Sequence, residues 1–127
     1  MTYYIDGYTI WSNPSETGGG YTIFDSNNNL IKTVEVLKEG FTNNEAELIA
    51  VNECAKLCEI GDTIITDSTN TIKWVSKKPN LKKKKRRDLY SIKLETFELI
   101  ANKNINLVWK PREENLAGIY NENTFNA

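Results

Sequence analysis

Three acidic residues, Asp6, Glu47 and Asp67, are spaced along the chain so that one fold could bring them together. Three carboxylates at close range repel one another unless cations neutralise them. Hard divalent cations such as Mg²⁺ and Mn²⁺ prefer oxygen ligands of this kind. A single aspartate at a strand end is more often a turn or cap residue, so the prediction depends on where the three lie. If they converge, they form a candidate site for Mg²⁺ or Mn²⁺.

The first half of the chain predicts three strands and a helix. Alternating β-branched and aromatic residues indicate antiparallel strands at 2–10, 20–24 and 30–36. Thr42-Asn43-Asn44-Glu45 has the form of a capping box, in which Thr42 accepts from a helix amide and Glu45 reaches back. A helix is therefore expected from there to about Ile60, before Gly61. Asp6 would lie in the first strand and Glu47 in the first turns of this helix.

The second half predicts parallel strands joined by helices. A short buried strand is expected at 62–66 with Asp67 at its end, and then helices at 68–76 and 88–101, a strand at 105–109 and a terminal helix from about Glu113. The order βββαβααβα indicates an α/β fold. Its mixed five-stranded sheet has three antiparallel and then two parallel strands, with helices on both faces. Neighbouring strands are roughly 4.8 Å apart, so the three acids can meet.

Length and composition limit the possible classes of protein. A chain of 127 residues with a net charge of -1 is expected to form a single domain over 1–127. We find no apolar run of the roughly 20 residues that span a membrane and no signal peptide, so a cytoplasmic monomer is expected. Cys54 and Cys58 are too few for a structural zinc site in a chain with 0 histidines, and they are expected to be buried thiols.

The segment 77–87 is strongly basic and contains no acidic residue. It holds half of the chain's 16 lysines and arginines, so a cationic loop projects from an acidic body. Such a run is either a solvated surface or a binding site for phosphates. The candidate binding residues are Lys82, Lys83, Lys84, Lys85, Arg86 and Arg87.

Four motifs together resemble the type 1 ribonuclease H family. They are Tyr4-Ile5-Asp6-Gly7, Asn13-Pro14 followed by Gly18-Gly19-Gly20-Tyr21, the segment 42–48, and Ile64-Ile65-Thr66-Asp67-Ser68. The resemblance extends from Tyr3 to about Asn121. It implies a ribonuclease H-like fold and an endonuclease that cuts the RNA strand of an RNA/DNA hybrid with two Mg²⁺ or Mn²⁺ ions. It makes Asp6, Glu47 and Asp67 both the metal ligands and the catalytic acids.

The same resemblance implies contacts with the substrate. Asn13 and either Asn43 or Asn44 would contact RNA 2′-hydroxyl groups, which distinguish RNA from DNA. Thr42 would lie near a phosphate of the DNA strand, and the basic segment would grip the hybrid. The alternative is that Asn43 and Asn44 only begin a helix. Trp74 and Trp109 are expected either to pack on the sheet or to stack on the nucleic acid.

The chain departs from the family pattern in its last motif. Family members carry a fourth aspartate where this chain has Gly118 or Ile119, and neither can bind a metal. Glu122, one helical turn beyond Gly118, is a candidate substitute, and Glu114 is a weaker one. The usual loop histidine is also absent, so that its role falls to Lys110, to Arg112, to a metal-bound water or to no group at all. The segment 8–12 also lacks the small residue that usually follows Asp-Gly.

These departures keep two other functions open. One is a catalytically impaired ribonuclease H-like module that binds nucleic acid or a protein. The other is a relative that cuts DNA with similar acids, against which the Thr42-Asn43-Asn44 motif argues. Hydrolysis of the RNA strand of hybrids is the preferred interpretation.

Overall fold

The computed structural model describes residues 1–80 and 87–125. In these residues the strands are β1 (Thr2–Thr9), β2 (Gly18–Asp25), β3 (Leu30–Leu37), β4 (Thr63–Thr66) and β5 (Asn106–Trp109). The α-helices are α1 (Asn43–Leu57), α2 (Thr69–Val75), α3 (Tyr90–Asn102) and α4 (Leu116–Phe125), and short 3-10 helices precede α3 at Arg87–Leu89 and α4 at Arg112–Glu114. The predicted order of elements is confirmed.

The strands form one mixed sheet in the order β3-β2-β1-β4-β5. The β1–β2 and β2–β3 pairs are antiparallel, while β4 runs parallel to both β1 and β5. Antiparallel neighbours need only tight turns, whereas the parallel pairs need helical crossovers, and α1 supplies the first of these. The predicted five-stranded mixed sheet is therefore confirmed, and β1 and β4 are neighbours at its centre.

Side chains alternate between the two faces of β1, and each face is covered by a different helix. Ile5 packs in the main core with residues of α1, while Asp6 and Tyr8 contact α4. Cys54 and Cys58 lie buried in the α1 core as free thiols, as expected. This two-sided arrangement lets one strand present Asp6 to α4 while α1 packs close behind it.

A smaller core cluster joins α1 to the segment between β4 and β5. Leu48, Val75 and Leu89 form it, and Trp74 packs against it, which is one of the two roles expected for this residue. In the described parts of the chain, we find no helix that combines the length and the apolar character needed to cross a membrane.

Helix α1 ends earlier than predicted, at Leu57 rather than near Ile60. Cys58 already has an extended conformation, with φ −67° and ψ 149°. The ammonium of Lys103 donates to the carbonyl oxygens of Ala55, Lys56 and Cys58 at 2.9, 3.1 and 2.8 Å. Helix ends leave carbonyls without partners, and here a residue distant in sequence supplies the donors. Local sequence could not reveal this cap.

The terminal helix also begins later than expected. Residues Arg112–Glu114 form a 3-10 turn, Asn115 is extended, and α4 starts at Leu116. The Oδ1 atom of Asn115 accepts from the backbone N–H of Ala117 at 3.2 Å, which satisfies one of the first amides of α4. Of the predicted basic binding residues, Lys82, Lys83, Lys84, Lys85 and Arg86 lie outside the described residues, and Arg87 begins the first 3-10 helix.

Candidate active site

The structure brings the three predicted acids together at the centre of the sheet. Asp6 lies within β1, Glu47 in the second turn of α1, and Asp67 directly after β4. One carboxylate oxygen from each lies within 4.8 Å of the others. Asp6 is 1% exposed and Glu47 is 6% exposed, so the cluster is largely withdrawn from solvent.

Gly7 explains how α1 approaches β1 closely enough to deliver Glu47. A Cβ atom at this position would lie 2.5 Å from the carbonyl carbon of Ala46, a distance that real Cβ atoms do not adopt. The backbone N–H of Gly7 also donates to Oε1 of Glu47 at 2.9 Å. The Asp6-Gly7 pair therefore places one acid on the strand and makes room for the other.

The carboxylate group of Glu47 has one satisfied and one unsatisfied oxygen. Among the described residues, its buried Oε2 atom has no hydrogen-bond partner. A buried oxygen without a donor is costly unless something else neutralises it. With Asp6 and Asp67 beside it, this oxygen completes a set of hard ligands that fits a divalent cation. Asp6, Glu47 and Asp67 are the residues that would hold the ion.

Burial and like charge shift the titration of the two inner acids. Burial raises the pKa of Glu47 well above its ordinary range, and the neighbouring Asp6 and Asp67 raise it further. Burial also raises the pKa of Asp6, although hydrogen bonds to Glu47 and Asn121 oppose the change. Two buried anions side by side are unfavourable, so the cluster favours a bound cation or protonation of its acids.

Two asparagines of the C-terminal segment hold the aspartates in place. The Nδ2 atom of Asn115 donates to the carbonyl of Ile5 at 2.9 Å and to Oδ2 of Asp67 at 3.2 Å. The Nδ2 atom of Asn121 donates to Oδ2 of Asp6 at 2.9 Å, and its Oδ1 accepts from the hydroxyl of Thr22 at 2.6 Å. Both asparagines are buried. They link α4 to the strands that carry the acids.

Arg112 extends its guanidinium into the cluster. Its Nε donates to Oδ2 of Asp67 at 2.9 Å, and its Nη2 lies 3.5 Å from Oδ1 of Asp6. Burial alone would lower the pKa of Arg112, but Asp6 and Asp67 raise it above its ordinary value. The guanidinium is therefore a permanent positive charge beside two of the three acids.

Of the two positions considered for the missing fourth acid, Gly118 is the one that faces the cluster. Gly118 is buried, and a Cβ atom there would lie 3.1 Å from Oδ2 of Asp67. Ile119 is 37% exposed and lies on the outer side of α4. The chain therefore lacks a carboxylate at a position that directly adjoins Asp67.

An open cleft adjoins the cluster on this side. Its lining comprises Asp67, Trp109, Pro111, Arg112 and Glu122. The indole of Trp109 donates to the backbone carbonyl of Asp67 at 3.2 Å and is half exposed, so it borders the site rather than packing under the sheet. Glu122 is exposed in the same cleft, whereas Glu114 is an exposed residue of the preceding 3-10 turn.

The predicted substrate-binding residues border the site near the start of α1. The Oδ1 atom of Asn13 accepts from the backbone N–H of Asn43 at 2.9 Å, and Oδ1 of Asn43 accepts from the hydroxyl of Thr9 at 3.2 Å. Thr42 caps α1 by accepting from the N–H of Glu45 at 3.1 Å, while the carboxylate of Glu45 pairs with Lys38. The Oδ1 atom of Asn44 accepts from the side-chain Nδ2 of Asn70 at 3.4 Å.

These residues at the start of α1, which we call the rim, can serve the fold and the substrate at once. Asn13 and Asn43 are exposed, so their remaining polar atoms face solvent at the same time as they stabilise the helix start. The structural and substrate-binding roles of these asparagines are therefore compatible.

The sequence patterns do not assign a site role to Asn115 or Asn121. Asn115 stands out only as part of the last motif, and Asn121 only as the end of the resemblance. A signal does exist, because Asn121 lies four residues after the buried Ala117 and so on the inner face of α4. A buried asparagine needs partners, which here are an aspartate and a threonine.

Comparisons with known proteins identify the family and the fold. The family model described as RNase H matches residues 1–122. The comparison with curated proteins returned no match. Among solved structures, the RNase H1 of the archaeon Halobacterium salinarum is 19% identical with a TM-score of 0.67, covering 99% of this chain and 98% of that one.

Two further structures are similar at this level. The N-terminal RNase H domain of a Mycobacterium tuberculosis protein, solved as a fusion with maltose-binding protein, is 21% identical with a TM-score of 0.65, and the match covers 91% of this chain and 90% of that one. An RNase H1 isolated from compost by a metagenomic approach is 22% identical with a TM-score of 0.63, and the match covers 94% and 89%. These likenesses show a shared ribonuclease H-like fold. Because the family model covers all but the last five residues, the chain belongs to the RNase H family.

Proposed function

We propose that this chain is an endoribonuclease that hydrolyses the RNA strand of RNA/DNA hybrids. The observation that carries the proposal is the convergence of Asp6, Glu47 and Asp67, with Oε2 of Glu47 left buried and unpaired among the described residues. A purely structural role would not favour three acids at this distance, because each lowers the stability of the others. A site that binds a cation does favour three acids at this distance, because the cation offsets their repulsion.

The chain's own groups position this site before any substrate arrives. Asn115 and Asn121 hold Asp67 and Asp6, and the N–H of Gly7 holds Glu47. Mg²⁺ or Mn²⁺ held by Asp6, Glu47 and Asp67 would supply the Lewis acidity for hydrolysis of the phosphodiester by water. The ligands are therefore in place at little further entropic cost. The family resemblance implies two such ions.

Selectivity for hybrids is assigned to the rim at the start of α1. The exposed amides of Asn13 and Asn43 can donate to and accept from 2′-hydroxyl groups of the RNA strand. Thr42 and Asn44 flank them, and Lys82 to Arg87 would neutralise phosphates of the hybrid. The proposal also includes a monomeric protein acting in the cytoplasm.

A second candidate function is a catalytically impaired module that binds nucleic acid. The observation that favours it is the pairing of Arg112 with Asp67 beside Gly118, where the family carries a fourth acid. In this alternative the cluster keeps its fold-stabilising contacts and binds substrate without hydrolysis.

Cleavage of a labelled RNA/DNA hybrid in Mg²⁺ and in Mn²⁺ decides between these functions. Matched DNA and RNA duplexes test the selectivity, and Asp67→Asn tests the site. Glu98→Gln is the matched control, because it removes one exposed carboxylate from α3. We expect hybrid cleavage by the wild type and by the control but not by Asp67→Asn. Binding without cleavage in either metal would establish the second function, and a rate for Asp67→Asn within threefold of wild type would refute the site.

A further inference from the structure

Arg112 and Gly118 form a complementary pair beside Asp67. A Cβ atom at Gly118 would lie 2.7 Å from Cδ and 3.0 Å from Nε of Arg112, so any larger residue would displace the arginine. Gly118 lies inside α4, where glycine is unfavourable and where its φ is not of the left-handed kind that requires it. The space for Arg112 is the physical reason for glycine that the structure offers.

The pair changes the charge that the site must accommodate. With all groups ionised, three carboxylates and one guanidinium carry a net charge of about −2, which equals the charge neutralised by one divalent cation. A site with four carboxylates and no arginine would carry twice that negative charge. The guanidinium contacts Asp67 and Asp6, and the oxygen left without a donor in the described chain belongs to Glu47.

We infer that Arg112 stands in for the second metal ion, so that this site binds a single divalent cation through Asp6, Glu47 and Asp67. Gly118 is the second half of the replacement, because it removes the acid that would hold the other ion and leaves room for the arginine. A fixed guanidinium offers planar donors suited to phosphate oxygens and stays charged at any working pH. The inference rests on the proposed function only for the identity of the substrate, since ion binding is measured without cleavage.

The test measures Mn²⁺ binding by calorimetry and by electron paramagnetic resonance. Two Mn²⁺ ions about 4 Å apart couple magnetically and give a spectrum unlike that of an isolated ion. We expect the wild type to bind one ion with an uncoupled spectrum, both alone and with hybrid present. Arg112→Ala should tighten Mn²⁺ binding by at least about tenfold, since it removes a competing cation from Asp67.

Arg112→Ala combined with Gly118→Asp should bind two ions and show the coupled spectrum, because it restores the fourth acid and removes the guanidinium. Lys73→Ala is the control for a general loss of positive charge, since Lys73 is exposed on α2, and it should match the wild type. Thermal melting in a chelator shows whether each variant is folded. Arg112→Lys gives a second test of the inference. It keeps the positive charge beside Asp67 and should therefore still bind one ion.

The results separate this inference from the proposed function. Two bound ions in the wild type, no bound ion, or unchanged affinity in folded Arg112→Ala would each overturn the inference, whatever the cleavage assay shows. One ion whose affinity responds to Arg112→Ala supports it, even in a chain that cleaves no hybrid.

Discussion

The acidic cluster has two sides that relieve like-charge repulsion by different means. The α1 side comprises Glu47 together with its neighbour Asp6 on β1; both are almost fully buried, and burial raises the pKa of each, which favours their uncharged forms. On the α4 side, Asp67 is partly exposed and is paired with the guanidinium of Arg112. A bound cation would take the place of protons at the first pair, whereas at Asp67 it would share the carboxylate with the guanidinium.

The two sides therefore differ in the groups that a bound cation would meet. The α1 side adjoins the Thr42-Asn43-Asn44 segment, which resembles a motif of the family. The α4 side has no fourth acid and carries a fixed positive charge instead. Variants on the two sides should therefore respond differently to metal, pH and salt.

The largest effect is expected from Glu47→Gln on the α1 side. Loss of one anionic ligand should reduce single-turnover hybrid cleavage at least about a hundredfold, comparable to removal of one electrostatic catalytic group. The metal-free protein should become more stable, because a buried acid next to Asp6 is removed. Asp67→Asn should lose activity as well but gain no stability, since it breaks the pair with Arg112. Single-turnover cleavage rates in the presence of metal test the activity of both variants, and melting temperatures in a chelator test their stability. Glu98→Gln is the control for both measurements. A stability gain in Asp67→Asn as large as that in Glu47→Gln would remove the distinction between the sides.

The next largest effect is expected from the basic segment, whose positive charges come from residues other than Arg112. Changing Lys82, Lys83, Lys84, Lys85, Arg86 and Arg87 to Gln should weaken hybrid binding by about tenfold or more at low salt. The slope of log affinity against log salt should flatten by about 0.9 for each phosphate that the segment no longer neutralises. Single-turnover cleavage at saturating hybrid should be unchanged. Fluorescence titrations at several salt concentrations measure this, and an unaltered slope would make the segment a solvated surface.

A smaller effect is expected at Asn13, where two roles can be separated. Asn13→Ala removes the acceptor for the N–H of Asn43 and should cost about 1 kcal/mol of stability. Asn13→Asp keeps that acceptor and should retain stability, but it has no amide donor. We expect the preference for hybrid over duplex DNA to fall several-fold in both variants if the amide contacts RNA. Unchanged preference in a stable Asn13→Asp would leave Asn13 with only its structural role.

The smallest effect concerns the stability of the metal-free protein as a function of pH. The pKa of Glu47 is raised in the folded state, so the folded protein retains a proton that the unfolded chain releases near pH 4.5. Stability from this group is complete below that pH and is lost as the pH rises through the folded pKa. Relative to Glu47→Gln, the wild-type melting temperature in a chelator should therefore fall as the pH rises from 4.5. A constant difference between the two proteins from pH 4.5 to about neutral pH would contradict the raised pKa.

Much of the fold and the centre of the site could be predicted because local patterns determine them. Alternation indicated the strands, the capping motif placed Glu47, and the strand end placed Asp67. The C-terminal end of α1 and the start of α4 were predicted less accurately. Lys103 caps α1 from 48 residues beyond Ala55, and Asn115, which caps α4, is held by the carbonyl of Ile5 110 positions away. Arg112 was considered only as a replacement for the absent loop histidine, because its pairing with Asp67 and Asp6 joins residues 45 and 106 positions apart.

The contact between Asn121 and Asp6 joins residues 115 positions apart. During translation Asp6 and Glu47 leave the ribosome long before α4 has been made, so β1 and α1 can pair while the support for Asp6 is still missing. The cluster therefore reaches its final geometry only after α4 has been made. A ribosome-bound chain halted before Asn121 should hold no ordered cation and should leave hybrids untouched.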